Sequence, residues 1–248
     1  MAVDKLVDST VLDGYFEDIA DAIRGKNGSS DTYTPSEMPA AITAIPSGGG
    51  GDTLYDAYNT TGYTYESDST AFAAYILYNS IVKSIDLPNC TRVGNYACNA
   101  SKSLISANLP ETTNIGTNAF YNCTALTTIQ APKLATLGYA AFYSCRALRY
   151  ADFPALSGTL GINTFQNCNA LLRVQLGDIT EVRANAFNGC SACLEYDFSR
   201  CTSVPTLAHI NAFNNINANA VIKVPASLES RWKNANNWSE YEDYIVGV

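Results

Sequence analysis

Histidine is almost missing from this chain: among 248 residues there is one, His209. Any Ser-His-Asp or Cys-His arrangement therefore has a single candidate base, and no serine sits in a nucleophile-elbow pattern. Positive charge is scarce as well. Fifteen Lys and Arg stand against twenty-three Asp and Glu, a net charge of −8 with no basic stripe, which speaks against nucleic acid or an anionic membrane as partner. No apolar run reaches membrane-spanning length. The start, Met1-Ala-Val-Asp-Lys-Leu-Val-Asp8, is acidic within a few residues, so a signal peptide is not expected. Phosphate-cradling loops, dinucleotide fingerprints and calcium-loop spacing are lacking too, so no catalytic residue, metal or cofactor is expected.

What the chain does have is a repeat. The stretch Ala119-Phe-Tyr-Asn-Cys-Thr-Ala-Leu-Thr-Thr-Ile-Gln-Ala-Pro132 returns in register: Phe120, Phe142, Phe165 and Phe187 are 22, 23 and 22 residues apart, and Cys123, Cys145, Cys168 and Cys190 keep the same intervals. A period of one supersecondary unit predicts a solenoid, in which no single repeat buries its own apolar face. With 47% apolar and 15% charged residues the chain can build a sizeable core.

Each repeat carries a segment that alternates apolar and polar residues, as a half-buried strand does: Ile85-Asp-Leu-Pro88, Ala107-Asn-Leu-Pro110, Ile129-Gln-Ala-Pro132, Ala151-Asp-Phe-Pro154, Val174-Gln-Leu-Gly177, Tyr196-Asp-Phe-Ser199 and Ile222-Lys-Val-Pro225. A second short apolar segment follows, at Val93-Gly, Ile115-Gly, Leu137-Gly, Leu160-Gly and Val182-Arg, so each coil should have two strand-like sides. Stacking such strands places Asp86, Asn108, Gln130, Asp152, Gln175 and Asp197 in one polar row. That row and its neighbours Tyr150, Arg173 and Glu195 are the candidate ligand-binding residues, because rigid strands present side chains at little ordering cost. The carboxylates lie on different rungs, which suits a solvated row and not acid-base catalysis.

Eight cysteines would suit disulfides or, at Cys190-Ser-Ala-Cys193, a zinc or redox pair. Register favours packing. Cys190 holds the position of Cys123, and Cys193 stands where Leu171 stands one repeat earlier; small reduced cysteines filling a narrow interior account for both. A metal would want a second pair or a nearby histidine. Cys90, Cys201 and His209 gain no role from the pattern.

Upstream, Leu12, Phe16, Ile19 and Ile23 are spaced as the apolar stripe of a helix between Ser9 and Gly28. Thr34-Pro-Ser-Glu37 matches a capping box ahead of Met38, Ile42 and Ile45, although Pro39 allows a turn followed by a helix that opens there. These residues form a two-helix module over 1–46, and its stripe of Leu12, Phe16, Ile19, Ile23, Ile42 and Ile45 is the candidate assembly surface. A glycine-rich linker follows over 47–52. Residues 53–81, rich in tyrosine (Tyr55, Tyr58, Tyr63, Tyr65, Tyr75, Tyr78) and without the repeat's spacing, are assigned to an N-terminal cap. Those tyrosines fit either cap packing or an exposed stacking platform. The solenoid is placed over 82–225 and a C-terminal cap over 226–248, where Ser227 would cap a helix carrying Leu228 and Trp232. The two tryptophans are expected to close the last rung.

The pattern Ala-Phe-x-x-Cys-x-x-Leu-x-x-Ile-x-x-Pro followed by Ile-Gly, from about Val82 to Pro225, resembles the leucine-rich repeat of the BspA-like family. The first unit departs from it with Cys98 in the Phe position. The last is longer, 26 residues from Phe187 to Phe213. The resemblance implies a leucine-rich-repeat solenoid of α/β repeat class, curved and right-handed, that serves as a recognition surface and not as an enzyme. Separately, Ile19-Ala-Asp-Ala-Ile-Arg24 with Thr34-Pro-Ser-Glu-Met-Pro39 is similar to a short module of phage and prophage tail proteins, the alternative being a generic two-helix cap. The leading expectation is therefore a tail-associated virion protein whose solenoid binds a host-surface protein or glycan, attached through residues 1–46 to virion proteins or to a second copy of itself. A BspA-like cell-surface adhesin is the alternative, disfavoured by the missing signal peptide. An enzyme is third.

Overall fold

The computed structural model describes residues 64–66 and 69–248. The chain divides after Gly51 into two units. The helices expected within 1–46 with their apolar stripe, the linker, and Tyr55, Tyr58 and Tyr63 lie outside the described residues. From Thr64 onward the chain winds into stacked rungs, each with three sides.

The first side is strand. β1 (Thr64–Glu66), β3 (Ser84–Asp86), β5 (Ser106–Asn108) and β7 (Thr128–Gln130) form one parallel sheet. β9 (Tyr150–Phe153), β11 (Arg173–Leu176), β13 (Glu195–Asp197), β15 (Val221–Val224) and β16 (Ile245–Gly247) form another. Where the two ladders meet, the Arg149 amide donates to the Thr127 carbonyl at 3.3 Å. The alternation read in the sequence decides the facing. Ile85, Ala107, Ala151, Val174, Tyr196 and Ile222 turn inward and are buried, and the residues on either side of them face out.

The second side carries shorter strands: β2 (Ala71–Phe72), β4 (Arg92–Val93), β6 (Asn114–Ile115) and β8 (Thr136–Leu137) in one sheet, then β10 (Gly158–Leu160), β12 (Ile179–Val182) and β14 (Thr206–Leu207) in the next. The change of sheet coincides with the one 23-residue interval. Ser157 still donates its amide to Ala135 one rung back, at 3.2 Å, but the register shifts between Gly158 and Thr159. Gly158 is therefore the inserted residue. It sits at φ +80° with nothing near its absent Cβ, so the bulge is accommodated by the residue that tolerates this backbone at least cost.

The third side is a ladder of turns. Two residues per rung, four apart, have positive φ: Tyr96 and Ala100, Asn118 and Asn122, Ala140 and Ser144, Asn163 and Asn167, Asn185 and Gly189. Every second amide then points along the stack, as when Asn118, Phe120 and Asn122 donate to Tyr139, Ala141 and Tyr143 at 3.0, 2.9 and 2.7 Å. Asparagine dominates these positions because its short polar side chain tolerates the left-handed region. No rung contains an α-helix among the described residues. Between these positions Phe120, Phe142, Phe165, Phe187 and Phe213 point inward and stack with ring centres 5.1–5.5 Å apart.

All eight cysteines are buried and unbridged. Cys123, Cys145, Cys168 and Cys190 each donate the thiol hydrogen to the carbonyl of the Phe-position residue one rung earlier (Cys98, Phe120, Phe142, Phe165) at 3.0–3.2 Å. Ser101 makes the same bond to Leu77. That bond identifies the rung whose sequence departs most from the pattern. With Leu77 in the Phe position, and with β1 and β2 paired in register to β3 and β4, the described residues 64–66 and 69–81 supply a rung of the stack within the segment that the sequence assigns to a cap. Cys90 and Cys201 also gain a role. Each occupies the corner after a first-side strand that Thr112, Leu134, Leu156 and Ile179 fill in other rungs, its amide bonded to Leu87 and Phe198 at 3.2 and 3.0 Å.

At the C-terminal end, a 3₁₀ turn (Ala226–Leu228) leads into a short helix, α1 (Glu229–Lys233). Ser227 is not its cap. Leu228 holds that position without a side-chain bond, and the Glu229 amide that Ser227 would have capped donates instead to the Ala226 carbonyl, closing the 3₁₀ turn. Trp232 and Trp238 are fully buried against Phe198 and Phe213, and the Trp238 indole donates to Pro205 at 2.7 Å. Trp238 covers the last ring of the phenylalanine stack, and Trp232 packs behind it. The final strand β16 pairs with β15, and the Glu229 side chain packs beside Gly247 on that strand, at an edge that would otherwise stand open. No described helix is long and apolar enough to cross a membrane.

Candidate recognition face

Because the first-side strands pair in register, residues at equivalent positions form columns on their outer face. One column runs Ser84, Ser106, Thr128 and, after the join, Tyr150, Arg173, Glu195 and Val221. The next runs Asp86, Asn108, Gln130, then Asp152, Gln175, Asp197, Lys223 and Val246. All nine sequence candidates lie on this side. Six share the five-stranded sheet, whereas Asp86, Asn108 and Gln130 stand on the four-stranded one, so the single polar row is two sheets meeting end to end.

The columns are tied laterally. Asn108 donates to Asp86 at 2.8 Å and Gln175 to Asp197 at 3.4 Å. Arg173 lies 3.7 Å from Asp152, and Lys223 pairs with Glu195 at 2.8 Å. The Arg173–Asp152 pair is exposed and adds little stability, and the others are only part-buried; their consequence is to orient side chains. The four-stranded part presents small hydroxyls, amides and Asp86, with Ile105 (44%) exposed just before β5; the five-stranded part adds the aromatic Tyr150 (49%) and, just before β11 and β13, Leu172 and Leu194 (37% and 50%).

Leu172, Leu194 and Lys223 escaped the sequence reading. The signal was present for the leucines: in Leu171-Leu172 only one can occupy the inward column, and Leu194 follows Leu172 by one period. Lys223 continues the polar row beyond Asp197. His209, the one candidate base, is exposed and uses Nδ1 to accept from the Asn211 amide at 3.2 Å, capping the turn Ile210–Phe213. Of the tyrosines left open by sequence, Tyr65 is buried, while Tyr75 and Tyr78 are exposed and Tyr75 stacks on Tyr96 at 4.9 Å. Among the described residues no group of three or more His, Cys, Asp or Glu is placed to hold a metal ion.

Comparison with known proteins bears on the fold. Residues 70–194 match the BspA type leucine rich repeat region in six copies, beginning inside the segment that sequence reading assigned to the cap. No curated protein matches the chain. Among solved structures, a leucine rich cell surface protein from Faecalibacterium prausnitzii A2-165 aligns with a TM-score of 0.57 and 20% identity, over 67% of this chain and 48% of that one. The chain thus spans about half the length of that protein, and at this identity the likeness is one of fold. With half of its residues matched by the repeat, the chain belongs to the BspA-type leucine-rich repeat family.

Proposed function

We propose that the chain is a non-catalytic recognition protein acting at a cell surface, and that the outer face of the five-stranded sheet binds a protein or glycan there. The observation that carries this is the grouping of Tyr150 and Arg173 on paired, in-register strands with Leu172 and Leu194 at the entries to β11 and β13: an exposed aromatic, two aliphatics and an arginine, with Asp152, Gln175 and Glu195 on the same face. Aromatic and arginine side chains within a polar rim are the composition of protein-binding hot spots. The cell-surface setting is supported by the fold shared with a leucine rich cell surface protein. A tail-associated virion protein is the second reading; its support is the resemblance within residues 19–45, and nothing in the comparisons adds to it. In either setting residues 1–46 would attach the chain to a larger assembly.

The test is adherence of the labelled full chain to a panel of immobilised host-surface glycoproteins, native and deglycosylated. A double variant, Asp152→Lys with Arg173→Glu, should weaken binding by about tenfold or more while melting like the parent. Binding that survives this double reversal moves the site off this face.

A further inference from the structure

Glycines follow the second-side strands at Gly94, Gly116, Gly138 and Gly161 because neighbouring rungs approach closely there: a Cβ on Gly138 would lie 2.3 Å from the Thr117 nitrogen. At Gly161 the obstacle is a side chain. Its Cβ would meet the Tyr139 ring at 2.4 Å, so the ring lies across Gly161, which is buried beneath it. Tyr139 is nevertheless 47% exposed. One side of the ring therefore rests on backbone, while close to half of the residue's surface stays open to solvent.

The ring is also fixed at its far end. Arg183, in the same column one rung beyond Gly161, donates from Nη1 to the Tyr139 hydroxyl at 2.7 Å. The guanidinium carbon lies 5.7 Å from the ring centre, near enough to favour the ring electrostatically and too far to cover its face. Arg183 Nε donates to Glu181 Oε2 at 3.1 Å, and Thr159 donates to that same oxygen at 3.1 Å. Glu181 Oε1 and Arg183 Nη2 carry no hydrogen bond within the described residues. A flat aromatic face thus borders one open acceptor and one open donor, on neighbouring groups whose charges compensate.

We infer that Tyr139, with Glu181 and Arg183, is a stacking site for a neutral pyranose of a glycan. A pyranose pairs an apolar C–H face with vicinal hydroxyls that both donate and accept, which matches an aromatic surface beside an oriented carboxylate and guanidinium. Local charge compensation leaves nothing to favour an ionic ligand. The site lies at the corner of the second side and stands independently of the sheet face proposed above.

Saturation-transfer NMR on the full chain, with the methyl glycosides of glucose, galactose, mannose and N-acetylglucosamine as probes, tests it. At least one should receive saturation on its ring C–H protons. Tyr139→Ala should reduce that transfer by about tenfold, Glu181→Gln should weaken it, and Tyr139→Phe, which keeps the platform and loses the Arg183 bond, should retain a part. Made in a Tyr150→Ala, Arg173→Ala background, which removes any contribution of the sheet face, the Tyr139 variants should show the same losses. Absence of transfer to all four probes overturns the inference, as does transfer that survives Tyr139→Ala. Should Tyr139→Ala melt far below the parent, Glu181→Gln and Tyr139→Phe decide: transfer at parent level in both overturns the site.

Discussion

A cysteine in the thiol column does two things that no other side chain of its size combines: it fills an apolar gap and donates a weak hydrogen bond to a carbonyl that already accepts one. The Phe120 carbonyl takes the Cys123 amide at 3.2 Å and the Cys145 thiol at 3.1 Å. The recurrence of cysteine was legible in the sequence; its acceptor was not, because donor and acceptor are 25 residues apart and belong to different rungs. Burial pushes the thiols up, Cys193 to about 11 and Cys123 and Cys201 to about 12, and Cys98, Cys145 and Cys190 well above the usual range. Native thiols should therefore alkylate slowly, and fast labelling of Cys123 or Cys145 without denaturant would refute the packing account. The same shifts set a pH dependence. Folded values exceed unfolded ones, so the unfolded chain releases its protons first. Stability should hold below about pH 8.5 and fall above it by about 1.4 kcal/mol per pH unit for each such thiol, until the folded thiol itself titrates. Thermal melts between about pH 7 and 10.5 check this, and a flat profile would contradict it.

At the scale of the element, the two strand-like sides could be read from alternation and period. The third side could not: its ladder depends on paired left-handed residues, and asparagine four residues from asparagine has no such meaning until a structure shows the φ values. The rung at 64–81 was hidden for a related reason, since Leu77 and Ser80 replace the phenylalanine and cysteine by which rungs were recognised. Two glycines separate conformational from steric demands. Gly158 has φ +80° and open space around its absent Cβ, whereas Gly138 faces backbone at 2.3 Å. Gly158→Ala should cost about 1–2 kcal/mol, and Gly138→Ala more, because the backbone of the preceding rung at Gly116 and Thr117 must move to admit the methyl group. Chemical denaturation ranks the pair; equal losses would refute the close-approach account. Phe142→Ala removes a ring stacked on both Phe120 and Phe165 and should cost about 3–5 kcal/mol.

Across the whole molecule, each rung is stabilised mainly by its neighbours, so losses in the middle should spread along the stack while losses at the ends should fray it. The C-terminal end is closed by two tryptophans and by Glu229 on the last strand, and Glu229 itself is held below the usual carboxylate range by its hydrogen bond to Lys233. A chain beginning at Asp52 is expected to melt as the full chain does and to lose assembly with its partners; unfolding of that chain would make residues 1–46 part of the solenoid's own stability. The polar columns were legible from sequence because the strand period and the repeat length together dictate which residues align. Leu172 and Leu194 lie outside the alternation that was read, and Tyr139 meets Arg183 across 44 residues, a relation visible only once the rungs are stacked. The proposed binding surface is the outer face of the five-stranded sheet. Oxidative footprinting of the full chain, alone and saturated with the panel glycoprotein it retains best, is the decisive test: protection should concentrate at Tyr150, Leu172 and Leu194, and protection confined to the turn side, where the Tyr121 and Tyr143 rings stack 4.6 Å apart, would refute that placement.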